Sequence, residues 1–165
     1  MAIPGYIADT NIVSNPTAGS SPVAEWLQRY AGLVYLSAIT VAEMRRGLAL
    51  LEQTAARDKD PRVRARNLDR LAFKTAWYRE LTDSFADRIL PIDVAVADKW
   101  AEISVRFPSL RDGDKVIAAT ALVKGYAVAT RNLGDFRALG VLLVNPFDPD
   151  SWDDDYSRDP ILRLL

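Results

Sequence analysis

Five short apolar runs constrain this 165-residue chain more than any other feature: Tyr6-Ile7-Ala8, Leu33-Val34-Tyr35-Leu36, Ile89-Leu90-Pro91-Ile92, Tyr126-Ala127-Val128-Ala129-Thr130 and Val141-Leu142-Leu143-Val144. Each has the length of a strand, and the first four are separated by stretches with apolar residues at helical spacing, too long for hairpin turns. Ser20-Ser21-Pro22 starts one helix, with Val23, Trp26, Leu27 and Tyr30 on a side and Gly32 as its stop. Thr40-Val41-Ala42-Glu43 has the spacing of a capping box, and the helix behind it runs to about Arg57 with Met44, Leu48 and Leu51 aligned. Asp58-Lys59-Asp60-Pro61 breaks that helix, and a second long one runs to about Phe85, so the two form a helical hairpin beside the sheet. Asp93 caps a helix carrying Val96, Trp100, Ile103 and Phe107, and another runs from Asp114 to Lys124 with Gly125 as its stop.

The alternation βαβααβααβαβ predicts a three-layer α/β/α domain with a mostly parallel, roughly five-stranded sheet, with Pro91 marking an edge strand or a strand end. We expect a single domain over 1–147, followed by an acidic tail over 148–165. Right-handed crossovers put every strand-to-helix junction on one edge of such a sheet, and ligands bind outside that edge. Four acids fall at or near those junctions. Asp9 ends the first strand, Glu43 opens the helix after the second, Asp114 opens a later helix, and Asp135 follows the fourth strand.

The residue inventory narrows the chemistry. Cysteine and histidine are both absent, which removes disulfides, thiol nucleophiles, Cys/His zinc sites and imidazole bases. Converging carboxylates repel one another by several kcal/mol unless a cation joins them, and all-oxygen ligands favour Mg²⁺ or Mn²⁺. A hard cation with open positions activates water and stabilises charge on a phosphodiester, so metal-dependent phosphodiester hydrolysis suits a chain of this composition. Twenty-one basic and 22 acidic residues give a net charge of -1, so any nucleic-acid contact must come from a local patch. No apolar run approaches the ~20 residues that span a bilayer and the first residues lack a signal-peptide pattern, so a cytoplasmic protein is expected.

Four segments carry a resemblance to a known family: Asp9-Thr10-Asn11, Thr40-Val41-Ala42-Glu43, Asp114-Lys115-Val116-Ile117-Ala118-Ala119-Thr120-Ala121, and Thr130-Arg131-Asn132-Leu133-Gly134-Asp135-Phe136. In order and spacing they resemble the motifs of PIN-domain ribonucleases, and among these the VapC-type toxins of bacterial toxin-antitoxin modules, including the FitB-like branch. The resemblance covers roughly residues 6 to 147. It implies an Mg²⁺- or Mn²⁺-dependent endoribonuclease, homodimeric, inhibited by a cognate VapB-type antitoxin. It also implies an acidic quartet of Asp9, Glu43, Asp114 and Asp135, supported by Thr10, Asn11, Thr130 and Asn132. Asp112, two residues before Asp114, is a competing acid; the register of Ile117-Ala118-Ala119 selects Asp114. Arg45, Arg46 and Arg131 are candidate contacts for RNA or antitoxin.

Structural readings stand beside these. Glu43 could close a capping box with Thr40, Asp114 could be a helix N-cap, Asp9 a turn former and Asp135 a solvated turn residue. Arg62, Arg66, Arg70 and Lys74 form a stripe on the second arm of the hairpin, either a solvated face or a track for phosphates. Trp26, Trp77 and Trp100 are expected in the core or an interface rather than stacked on bases. A catalytically silent module that uses the acidic pocket for a basic partner is the alternative to an enzyme. A haloacid-dehalogenase-type phosphotransferase is disfavoured by Asn11, which stands where that chemistry needs an acid, and no Gly-rich phosphate loop follows the first strand.

Overall fold

A computed structural model of the chain describes residues 3–14 and 21–152. Its strands are β1 (Tyr6–Ala8), β2 (Val34–Ser37), β3 (Ile89–Leu90), β4 (Ala127–Ala129) and β5 (Leu143–Val144). All pair in parallel, in the order β3-β2-β1-β4-β5. The helices are α1 (Thr10–Val13), α2 (Pro22–Arg29), α3 (Ala38–Arg57), α4 (Pro61–Ser84), α5 (Val94–Arg106), α6 (Asp112–Lys124) and α7 (Leu133–Arg137). The expected α/β/α fold with a five-stranded parallel sheet and an α3–α4 hairpin is therefore what the chain builds. Among the described residues no helix is long and apolar enough to cross a membrane.

β1 takes the central position because it is apolar on both faces, as a parallel interior strand must be. Tyr6 and Ala8 face one layer, where Trp26 of α2, Leu81 of α4 and Ile12 and Val13 of α1 are buried. Trp26 meets the Tyr6 ring edge-on, with ring centres 5.2 Å apart. Ile7 faces the other layer, against Val96 and Ile103 of α5 and Val116 to Ala121 of α6. Replacing a fully buried residue such as Ile7 by Ala would cost about 2–5 kcal/mol, transfer and cavity together. Because Ala118, Ala119 and Ala121 are wholly buried, small side chains let α6 lie close against the sheet. β3 is one of the two edge strands and stops just before Pro91, which has no N–H for a ladder.

Several helix starts follow expectation. The Ser21 hydroxyl accepts from Ala24 N–H with Pro22 in the first turn, the Asp93 carboxylate accepts from Val96 N–H, and Gly125 closes α6 with φ 68°, a left-handed conformation that suits glycine. Others differ. Ser37, the last residue of β2, caps α3 by accepting from Ile39 N–H, so the helix begins three residues before the expected box. Thr40 then lies inside the first turn, its hydroxyl buried without a hydrogen-bond partner among the described residues, and no capping box forms. α6 likewise starts at Asp112 with Arg111 as its N-cap, which leaves Asp114 within the first turn and not as a cap.

α1 is a short helix that the sequence pattern did not signal. At the other end, the order of the domain runs past 147. Trp152 is buried in the same layer as Trp26, and the Tyr30 hydroxyl donates to its carbonyl at 3.0 Å. The acidic tail from 153 onward, with its apolar end, lies outside the described residues.

Candidate active site

The carboxyl ends of β1 and β4 lie side by side, with Asp9 N–H donating to the Ala129 carbonyl at 2.9 Å. That register brings Asp9 next to Thr130. The Asp9 Oδ2 accepts from the Thr130 hydroxyl at 2.7 Å and from the Asn11 amide at 2.5 Å. Asn11 also donates to Thr130 Oγ1 and accepts from Arg131 N–H, while Thr130 Oγ1 accepts from Asn132 N–H at 2.9 Å. Asn132 in turn donates to Asp135 Oδ2 at 2.5 Å. Three of the supporting residues named from the motifs, Asn11, Thr130 and Asn132, thus form one network that fixes Asp9 and reaches Asp135 on α7.

Glu43 enters from α3, where its Oε2 accepts from the Thr10 hydroxyl. This contact answers the question left open by the Thr40–Glu43 spacing, because the carboxylate reaches across to α1 instead of back to its own helix. Its other oxygen lies against the first turn of α6, beside Gly113. A Cβ on Gly113 would stand 2.2 Å from Glu43 Oε1, so only glycine permits this approach. The Arg111 guanidinium lies 3.6 Å from the same oxygen.

Asp114 comes up from α6 and is only 5% exposed. Its Oδ2 is buried with no hydrogen-bond partner among the described residues. Burial pushes its carboxyl up to about 6, helped by the negative charges of Asp9, Glu43 and Asp135 and opposed by Arg111. Burial also raises the Asp9 carboxyl, with Glu43 adding to the effect and the bonds from Thr130 and Thr10 opposing it. Asp114 therefore feels the charge of the other three acids, and Asp9 that of Glu43. Among the described residues, however, no three acids stand close enough to form a ready-made metal cage. The donor set is all oxygen, the chemistry a hard divalent cation prefers, and the partnerless Asp114 oxygen fits such an ion.

The competing acid, Asp112, turns away: its carboxylate is mostly exposed and pairs with the buried Lys115 ammonium at 3.1 Å. Of the arginines named from sequence, Arg45 and Arg46 are exposed on α3 and no described contact ties them to the acids. Arg131 packs over the Phe147 ring with 5.2 Å to its centre. Among the described residues the cation that does reach the acids is Arg111, which was not among the arginines expected there. Its signal was its place three residues before Asp114, one turn away along α6. Trp26 is fully buried and Trp77 donates to the Val13 carbonyl at 2.7 Å, both structural as expected.

Over residues 6–142 the chain matches the PIN domain family. It is 36% identical over 148 residues to Toxin FitB of Neisseria gonorrhoeae, covering 86% of this chain and 97% of that protein. It is 31% identical over 150 residues to VapC ribonuclease Y4jK of Sinorhizobium fredii, covering 87% of this chain and 98% of that one. The crystal structure of FitAcB from Neisseria gonorrhoeae aligns with a TM-score of 0.61 at 34% identity, over 86% of this chain and 98% of that chain. With a family match across most of its length and relatives above 30% identity along nearly all of theirs, the chain belongs to the PIN-domain family and is similar, within it, to the VapC and FitB toxins.

Proposed function

We propose that this protein is a toxin nuclease that hydrolyses RNA phosphodiesters with Mg²⁺ or Mn²⁺, acts as a homodimer and is inhibited by a cognate VapB-type antitoxin. The observation that carries the reading is the Asp114 carboxylate, buried, with its Oδ2 lacking a hydrogen-bond partner among the described residues, and facing the charges of Asp9 and Glu43. An orphaned acceptor in that setting costs about 1–3 kcal/mol, more when charged, and a cation removes the cost. Asp9, Asp114 and Glu43, with Asp135 at the outer side, would hold the ion, leaving its other positions to water and substrate. When bound it supplies a Lewis acid for the phosphoryl oxygen and lowers the pKa of the attacking water.

The chain's own residues do the remaining work. Thr130 and Asn11 grip a single Asp9 oxygen, Thr10 holds Glu43, and Asn132 holds Asp135, so each carboxylate is oriented before substrate arrives. Arg111 offers a guanidinium at the rim, suited to a non-bridging phosphate oxygen. Exposed Val94 and Val105, three turns apart on one side of α5, support self-association. The names of the similar proteins, a toxin and a ribonuclease, support the biological role.

The test is cleavage of end-labelled RNA by purified protein. Parent protein with Mg²⁺ or Mn²⁺ is expected to cut, chelator to stop it, and Asp9→Asn to be inactive; undiminished cleavage by Asp9→Asn would reject the mechanism. The Arg111–Glu43 approach favours one second reading, a silent module whose acidic pocket takes a partner's guanidinium. Calorimetry separates the two, since the silent module binds no Mg²⁺ or Mn²⁺ at millimolar concentration.

A further inference from the structure

Next to the acids, α1, α3 and α4 enclose a groove of about 390 Å³. Thr10 and Glu43 line it, so it opens directly onto the candidate active site; Met44 and Leu48 give it an apolar side, and Arg70, Lys74 and Tyr78 come from α4. We infer that this groove is a subsite for one nucleotide of single-stranded RNA beside the cleaved bond, with Arg70 and Lys74 on its phosphates and its base against Met44 and Tyr78. The inference rests on the nuclease reading above and adds where the strand lies.

Three features favour this occupant. Arg70 and Lys74 are one helical turn apart, about 5–6 Å, on the order of the spacing between successive phosphates of an extended strand. Apolar and aromatic lining beside paired cations matches a polymer that carries a flat apolar base and a charge at every step. The bases of a duplex are stacked inside and cannot enter a groove between helices, so the surface selects unpaired RNA. An acidic peptide has no such regular alternation of charge and ring. Arg62 and Arg66 continue the same basic stripe but do not line the groove, which supplies an internal control.

The experiment titrates full-length Asp9→Asn protein into a short fluorescent single-stranded RNA of mixed sequence, at several salt concentrations, followed by anisotropy. Adding Arg70→Ala and Lys74→Ala is expected to weaken binding on the order of tenfold and to reduce the slope of log K against log salt by about 1.4, two phosphate contacts at ~0.7 each. Arg62→Ala with Arg66→Ala should change the slope by much less. Equal effects of the two pairs, or none from Arg70 and Lys74, would overturn the subsite; so would intact RNA binding with lost binding of an antitoxin peptide. Parent cleavage is assayed alongside. Cleavage by the parent with no groove effect sinks the subsite alone, whereas no cleavage and no RNA binding sinks the nuclease reading with it.

Discussion

Replacing Asp114 by Asn should give a protein that is inactive and, in chelator, more stable than the parent. Asp114 is 5% exposed and its carboxyl titrates at about 6, against 3.8 for an unperturbed aspartate. At about 1.4 kcal/mol for each pH unit, the ionised group costs the folded state about 3 kcal/mol at neutral pH. Asparagine keeps the shape and removes the charge. For a chain of this size about 2–3 kcal/mol corresponds to a rise in Tm of about 5–10 °C. The sign with pH follows from the raised folded value: stabilisation from the bound proton is complete below about pH 4 and lost as pH rises through about 6. Scanning calorimetry in chelator at about pH 4 and about pH 7.5 should therefore show a gap between variant and parent that is several-fold larger at the higher pH. Asp9, whose carboxyl is also raised, leaves both proteins some residual slope. Adding Mg²⁺ should raise the parent's Tm and close much of the gap, since a ligand of the folded state stabilises it. If Asp114→Asn melted below the parent at pH 7.5 in chelator, the argument from burial and charge crowding would be wrong.

Gly113→Ala places a methyl against Glu43, so activity and calorimetric cation affinity should each fall by about tenfold or more while the melting temperature changes little, alanine's helix propensity of ~1 kcal/mol offsetting the displaced side chain. Thr130→Val removes the donor to Asp9 at nearly constant shape; we expect a loss of about 1–3 kcal/mol in urea denaturation and a pH–rate profile displaced to higher pH, and an unmoved profile would show that Thr130 does not govern Asp9. Asp112→Asn should retain activity within about twofold, because its mostly exposed carboxylate turns away from the acids toward Lys115; an inactive Asp112→Asn beside an active Asp114→Asn would exchange their roles.

Much of this site is legible in the sequence because strand ends are. The pair Ile7-Ala8 followed by Asp9 marks a buried strand reaching a polar rim, and Gly125 marks the stop of α6. What stays hidden depends on partners far along the chain. A Thr-x-x-Glu spacing looks the same whether Glu43 turns back to Thr40 or across to Thr10, and only the early helix start at Ser37 decides it. The choice between Asp112 and Asp114 is a matter of angle: at about 100° per residue the two point to nearly opposite sides of α6, one to solvent and Lys115, the other to the acids. Arg111 was missed although it stands three residues before Asp114, because a long cation at a helix start is as often turned to solvent as toward the acids. Trp152 was read with the acidic residues around it, although a large ring finds the core whatever its neighbours.

The strand order has a consequence for the order of synthesis. β1 is made first but pairs with β4, and Asp9 finds its donor at Thr130, 121 residues later. Such distant pairings form late, since a long loop must close before they reward the chain. A ribosome-bound fragment ending before residue 127 holds Asp9, Glu43 and Asp114 but not the strand that aligns them. The arrangement of the acids is complete only when the last quarter of the chain arrives, so a prematurely ended product carries three of the four acids without the strand that aligns Asp9.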